Sequence, residues 1–337
     1  MEDLKSKSFD ELKALIKELG WPVFKAKELF IFINRKLKTD FNSLTTLKLA
    51  ERTKLSSLFY ISQLSPKKVQ EGKDVCKISF ELSDGQAVET VFMDYREERK
   101  TVCVSSQAGC PIGCLFCATG QMGPGRNLST AEILSQVYYF AQKSKVSNLV
   151  FMGMGEPFLN YNNVLKAIGI LNNESGLNIA ARKIVVSTIG IIPGIEKFAD
   201  ESKQLRLAWS LAAPFDEPRK KLIKYPPLPK IAETVNALRV YQKKTKRRIT
   251  IEYVLLNGIN DSDEAVKELG RISTQLDCHI NLIPYNPSPG LNFSRGNIES
   301  FWQRLKKAAP KINVTVRQSF GQEISAACGQ LSSSYLS

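Results

Sequence analysis

Apolar positions along this chain keep one period at the start, another from about residue 67, and an alternation of the two after residue 100. Phe9, Leu12, Leu15, Ile16 and Leu19 fall at helical spacing and Gly20 stops the run, so the first element is an amphipathic helix. Further helical stretches are expected near 24–36 and 44–58. From about 67 to 93 apolar and polar residues alternate, with Ser83-Asp84-Gly85 as a hairpin turn, which predicts a strand pair. Beyond residue 100, short apolar runs at 102–104, 149–152, 183–187, 205–211, 249–255 and 280–284 alternate with amphipathic stretches. The latter lie near 131–142, 162–171, 193–199, 231–243, 261–275 and 298–308, and one more short strand is expected near 314–317. Such an alternation, repeated about six times, predicts an α/β fold whose parallel sheet is curled into a full or partial barrel. Three regions follow: a helical accessory module over 1–60, a strand pair over 61–95 and a main domain over 96–337. In such a barrel the functional residues belong at the carboxyl ends of the strands.

Composition narrows the function classes. A chain of 337 residues with 43% hydrophobic content can bury a substantial core. No run approaches the ~20 apolar residues of a membrane span, and the first residues, MEDLKSKSFDELKAL, lack a signal-peptide core, so a cytoplasmic, monomeric protein is expected. The balance of 47 basic against 33 acidic residues, net +14, points to a polyanionic partner. Lys25, Lys27, Arg35, Lys36, Lys38, Lys48, Arg52 and Lys54 crowd the helical module. A run of this kind is either a solvated face or an RNA contact. Seven cysteines, an odd number, argue for metal or redox chemistry more than for a disulfide scaffold.

Three of those cysteines, Cys110, Cys114 and Cys117, stand at C-x3-C-x2-C spacing with Phe116 before the last. Three thiolates can hold three irons of a cubane and leave the fourth open to bind a substrate molecule. The competing zinc knuckle would need a fourth ligand, and the one histidine, His279, is distant in sequence. The spacing resembles the signature loop of radical S-adenosylmethionine enzymes. Downstream, Met152-Gly153-Met154-Gly155-Glu156-Pro157 follows a strand, where glycine backbone could approach an amino acid closely and Glu156 could pair with its ammonium group.

Four further segments extend the likeness. Val88-Glu89-Thr90-Val91, the stretch around Cys103 ending in Ser105-Ser106-Gln107, Asn281-Leu282-Ile283-Pro284 and the tail Ala326-Ala327-Cys328-Gly329-Gln330-Leu331 resemble the radical adenine methyl synthases of ribosomal RNA, the RlmN and Cfr family. The likeness runs from about Leu12 to Leu331. It implies a partial (β/α)6 TIM-like radical SAM barrel with a small N-terminal helical accessory domain. It also implies a 4Fe-4S cluster on Cys110, Cys114 and Cys117, and two S-adenosylmethionine molecules per turnover. Partners would be 23S rRNA, with tRNA as a second candidate, and an electron donor such as flavodoxin or ferredoxin.

Adenine C2 and C8 are electron-poor amidine carbons, so a methyl group cannot reach them by simple displacement from a sulfonium and a radical route is needed. By family resemblance Cys328 is first methylated on its thiolate, and a methylene radical on its sulfur then adds to adenine. Glu89 removes the ring proton, and Cys103 attacks the sulfur to free the RNA and leave a Cys103–Cys328 disulfide. Gly155, Glu156, Ser187, Ser210, Leu211, Ala212 and Asn286 match the cofactor contacts. Cys76 and Cys278 read as small buried hydrophobes. Two departures stand out. Ser210-Leu211-Ala212-Ala213 replaces the family's Ser-Leu-His-Ala, and the stretch before Ala326 carries Phe320-Gly321, as in Cfr, although 281–287 looks like RlmN. C2 methylation is therefore expected. C8 methylation is the alternative within the family, an RNA-binding paralogue with altered catalysis and a radical enzyme with a protein substrate the alternatives outside it.

Overall fold

Ten strands form one sheet whose spatial order is their chain order: β1 (Ser65–Gly72), β2 (Val75–Glu81), β3 (Ala87–Tyr95), β4 (Arg99–Cys103), β5 (Asn148–Phe151), β6 (Ile184–Thr188), β7 (Arg206–Ser210), β8 (Ile249–Leu255), β9 (Cys278–Pro284) and β10 (Asn313–Val316). The computed structural model describes residues 1–95 and 99–332. Residues 96–98, where the expected main domain begins, and 333–337 lie outside the described residues. From β4 to β10 every neighbouring pair is parallel. Each crossover steps to the next strand in the same direction, so the order never reverses as it would in a doubly wound sheet. That is the topology of a curled partial barrel.

The crossover helices are α4 (Thr130–Ala141), α5 (Tyr161–Leu171), α6 (Ile192–Ala199), α7 (Asp216–Leu222), α8 (Ile231–Thr245), α9 (Asp263–Ser273) and α10 (Ile298–Ala308). Local chemistry starts several of them. Ser129 and Glu132 form a reciprocal capping box at α4, and Ser262 and Asn297 cap α9 and α10. Large aromatics pack them against the sheet and against one another: Tyr253 on β8 stacks on Phe301 of α10 at 5.6 Å, and Phe198 of α6 on Tyr241 of α8 at 6.1 Å. Each such buried side chain contributes roughly 1.5–3 kcal/mol.

Sequence periodicity missed α7, because its DEPRKKL stretch combines a proline with a charge run. Pro218 falls in the first turn, where no backbone donor is lost, and Arg219 is buried, donating to the carbonyls of Pro229 and Ile189 at 2.6 Å each. The strand pair expected over 61–95 is three strands, β1 to β3. The turn at Gly85 stands as expected, and a second turn at Lys73-Asp74 separates β1 from β2. These strands are antiparallel to one another and to β4 and continue the main sheet.

The first sixty residues carry α1 (Phe9–Glu18), α2 (Phe24–Asn34) and α3 (Leu49–Leu58). Helix α3 starts five residues later than the apolar pattern predicts, since Leu44 and Leu47 are buried from a non-helical segment behind the 3-10 turn Phe41–Ser43. The module meets α4 through the turn Leu4–Ser6 and through α2. Lys5 Nζ donates to Ser135 Oγ at 2.8 Å and Tyr138 Oη to Asn34 Oδ1 at 2.6 Å. After β10 the chain crosses to the antiparallel strands: Phe320 meets Tyr95 edge-on at 4.6 Å, and Lys77 Nζ donates to the Ser325 carbonyl at 3.1 Å. This return positions Cys328.

Candidate active site

The cysteine loop follows β4 and is held by backbone. Cys110 N donates to the Gly123 carbonyl at 2.9 Å and Leu115 N to that of Leu222 at 2.9 Å. Gly109 has φ +107°, and a Cβ there would lie 2.9 Å from Gly123 O and Gly125 N, so glycine is required for the loop to turn. Cys110, Cys114 and Cys117 line one cavity of about 190 Å3. Burial pushes the Cys110 thiol up to about 12 and raises Cys117; Cys114 stands well above the thiol range through burial and then the neighbouring charges of Cys117 and Cys110. Without a cation such a triad holds its protons, and a bound metal would release them.

The carboxyl ends of β5, β6 and β7 supply the opposite wall, with Gly155, Glu156, Ser187, Ser210 and Ala212. Gly155 has φ +96° and lies so close to Gln107 that an added Cβ would come within 2.6 Å of its side chain; Glu156 N donates to Gln107 Oε1 at 2.9 Å. The Glu156 carboxylate accepts from Phe158 N at 3.1 Å and Ile189 N at 2.9 Å, yet burial pushes its pKa up to about 7. Ser187 Oγ and Ser210 Oγ are 3.0 Å apart. Ala212 adopts φ +63°, with its carbonyl accepting from Asn260 Nδ2 at 2.6 Å. Leu211 is buried but does not line the cavity. Asn286 is also elsewhere: it donates to the Cys328 carbonyl at 3.2 Å and accepts from Gln322 Nε2 at 2.6 Å.

A second, smaller cavity of about 30 Å3 is lined by Cys103 from the end of β4 and by Cys328 from the tail. Cys328, Met152, Ile283 and Arg317 line both cavities. Cys103 and Cys328 are free thiols, and the Cys103 thiol is pushed up to about 12 by burial and then by Cys328. Arg317, the one cation lining either cavity among the described residues, approaches Met152 Sδ to 3.3 Å and Glu252 to 3.8 Å. The tail is seated by Ala118 N on the Gly329 carbonyl at 2.7 Å and Thr119 Oγ1 on that of Leu331 at 2.6 Å. Glu89 lines neither cavity. Its carboxylate is 3.0 Å from Lys77 Nζ and accepts from Ser332 N at 2.8 Å; burial raises its pKa, and Lys77 opposes that rise.

Comparison with known proteins identifies the family. The radical SAM superfamily pattern matches residues 104–270. A probable dual-specificity RNA methyltransferase RlmN of Lachnoclostridium phytofermentans is 41% identical over 99% of this chain and 95% of its own length. The ribosomal RNA large subunit methyltransferase N of Nitrosopumilus maritimus is 41% identical over 98% of both chains. The crystal structure of a radical SAM methyltransferase from Sphaerobacter thermophilus superposes with a TM-score of 0.90 at 40% identity, covering 98% of this chain and 99% of that one. This chain belongs to the RlmN family of radical SAM RNA methyltransferases. The expected fold, a partial radical SAM barrel, is the one observed.

Membership in the RlmN family implies a 4Fe-4S cluster and S-adenosylmethionine, and the residues fit both. Cys110, Cys114 and Cys117 share one cavity, which suits a cluster held at three corners. In a cubane each cysteine takes a different iron. His279 lies near the amino end of β9, away from the cavity. The glycine-lined wall with its buried carboxylate suits an amino-acid moiety bearing an ammonium group. Sequence reasoning missed Arg317, Glu252 and Lys77. The available signal was a charged residue inside an otherwise apolar strand, as in Ile249–Leu255 and Val75–Glu81, or directly after one, as at Arg317.

Proposed function

We propose that this RNA methyltransferase modifies C2 of a specific adenine in 23S rRNA, and an adenine of tRNA, through a methyl-cysteine intermediate on Cys328. The observation that supports this most is the position of Cys328, a wall of both the cavity lined by Cys110, Cys114 and Cys117 and the Cys103 cavity. S-adenosylmethionine bound at the cluster supplies both a methyl group and, on one-electron cleavage, a carbon radical able to take hydrogen from that methyl; two molecules are consumed per turnover. Cys110, Cys114 and Cys117 would hold the cluster, which a flavodoxin- or ferredoxin-type donor would reduce. Gly155, Glu156, Ser187, Ser210, Leu211, Ala212 and Asn286 would form the surroundings of the cofactor, Leu211 and Asn286 by backing the wall and the tail.

Cys328 receives the methyl on its sulfur. Once a hydrogen atom has been taken from that methyl, its carbon joins the adenine carbon; the adduct would give up its unpaired electron to the oxidised cluster, and Glu89 takes the ring proton. Cys103 attacks the Cys328 sulfur: an S–S bond forms, the C–S bond breaks and the released carbon takes up a proton as methyl. Arg317, which lines the cavity shared by the two thiols, is placed to stabilise thiolate charge. The dual-specificity and ribosomal RNA names of the relatives support the two substrates, and the RlmN-like stretch 281–287 favours C2 over C8. Ala212 leaves the cofactor a backbone contact where the family offers an imidazole.

Expression of the gene in cells lacking their own enzyme, followed by mass spectrometry of RNA nucleosides, tests the proposal. The expected product is 2-methyladenosine in rRNA and tRNA. Exclusive 8-methyladenosine would replace the C2 assignment, and no new methyladenosine would sink it.

A further inference from the structure

We infer that Lys77 is a positioning residue for the methyl transfer: it holds Glu89 as its charged partner and ties that carboxylate to the tail segment that carries Cys328. The inference rests on the reading of Glu89 as the base. Glu89 on β3 is opposite Ser79 on β2, and Lys77 is opposite Val91, so Lys77 and Glu89 are diagonal neighbours on one face of the sheet. Both are buried, 3% and 4% exposed. The ammonium has two partners, Glu89 Oε1 at 3.0 Å and the carbonyl of Ser325 at 3.1 Å, three residues before Cys328.

A carboxylate this deeply buried takes up a proton unless a cation faces it, and a protonated carboxyl cannot accept another from the adenine ring. Among the described residues, the groups facing Glu89 are Lys77 from β2, Lys68 on β1 through its field, and the Ser332 N–H from the tail. Lys77 is the cation in contact. In the seated tail both oxygens are engaged, Oε1 by Lys77 and Oε2 by Ser332 N. Withdrawal of the Ser332 N–H would free Oε2, while Lys77 opposes the effect of burial and favours the charged carboxylate. The proton then passes from the adenine carbon to Oε2, breaking C–H and forming O–H; the C–H electron pair restores the ring, and the adduct's unpaired electron would leave to the oxidised cluster.

The test uses the full-length, cluster-loaded protein with substrate RNA, and follows covalent enzyme–RNA adduct and released product from about pH 6 to about pH 9. Glu89→Gln is expected to accumulate adduct at every pH. Lys77→Met is expected to resolve it at least about tenfold more slowly near pH 7 and to recover as pH rises, the midpoint moving up by about one unit or more. Lys77→Arg should restore the wild-type profile. Wild-type resolution by Lys77→Met at all pH, beside a stalled Glu89→Gln, overturns the role of Lys77 and leaves the base standing. A uniform slowing at all pH that Lys77→Arg does not relieve overturns it as well. Normal resolution by Glu89→Gln removes the base and this inference together. If Lys77→Met fails to melt cooperatively, Lys77→Gln, also neutral, takes its place.

Discussion

Replacing Glu156 by Gln removes a carboxylate that the fold buries beside the cysteine loop, and the consequence can be sized from its surroundings. The folded protein holds this proton up to about pH 7, whereas the ordinary carboxyl value is 4.5. A shift of this size corresponds to roughly 3 kcal/mol. The folded pKa lies above the unfolded one, so the extra stability is complete below the unfolded value and is lost as pH rises through the folded value. Ligand-free wild-type protein should therefore lose roughly 3 kcal/mol between about pH 5 and about pH 8 from this one group. Glu156→Gln should lack that component of the slope. It also exchanges one acceptor for a donor facing the amides of Phe158 and Ile189, a cost of about 1–3 kcal/mol that displaces the curve without tilting it. Urea unfolding of both ligand-free proteins across this range, monitored by circular dichroism, separates tilt from displacement. Parallel curves would refute the reasoning. Addition of S-adenosylmethionine near pH 7 should release about half a proton per chain from wild type as its ammonium draws Glu156 into the charged form, and none from the variant.

Two further outcomes are expected. Anaerobic reconstitution should load about four irons per chain and give an absorbance shoulder that bleaches on reduction; the combined Ala substitutions at Cys110, Cys114 and Cys117 should abolish both, and a fully loaded variant would show the ligands to be wrong. Charge reversal at the exposed Lys27, Lys36, Lys38 and Lys54 should leave the melting temperature unchanged while lowering RNA affinity and flattening its log–log salt slope by ~0.7–0.9 for each phosphate that is no longer neutralised. An unchanged slope would return the helical module to the status of a solvated face. Point changes are preferable to deleting residues 1–60, because Lys5 and Asn34 are built into the packing on α4.

What could be read from the chain follows the range of each signal. The six main parallel strands and most of their helices are legible because burying a face on a sheet imposes a period within a dozen residues. The cysteine loop is legible because cluster ligation constrains spacing directly. By contrast, α7 is held by what Arg219 reaches at Pro229 and Ile189, and the start of α3 by where Leu44 and Leu47 are buried. Neither leaves a periodic trace. The likeness to cofactor contacts places Asn286 near S-adenosylmethionine, but its hydrogen bonds go to Cys328 and Gln322. Lys77 gains the Ser325 carbonyl when a tail some 240 residues after β2 returns to the sheet, and Arg317 shares a cavity with Cys103 and Cys328, so only tertiary structure gives either its surroundings.

The covalent route through Cys328 is tested most directly by Cys103→Ala. Loss of the second thiol leaves no nucleophile to displace the sulfur, so enzyme purified from cells should carry RNA as a ribonuclease-sensitive band on a denaturing gel. Peptide mass analysis should place a methylene-linked adenosine on Cys328, and Cys328→Ala should give neither adduct nor product. Free methylated RNA produced by Cys103→Ala at the wild-type rate, or a crosslink mapped to another cysteine, would contradict the account.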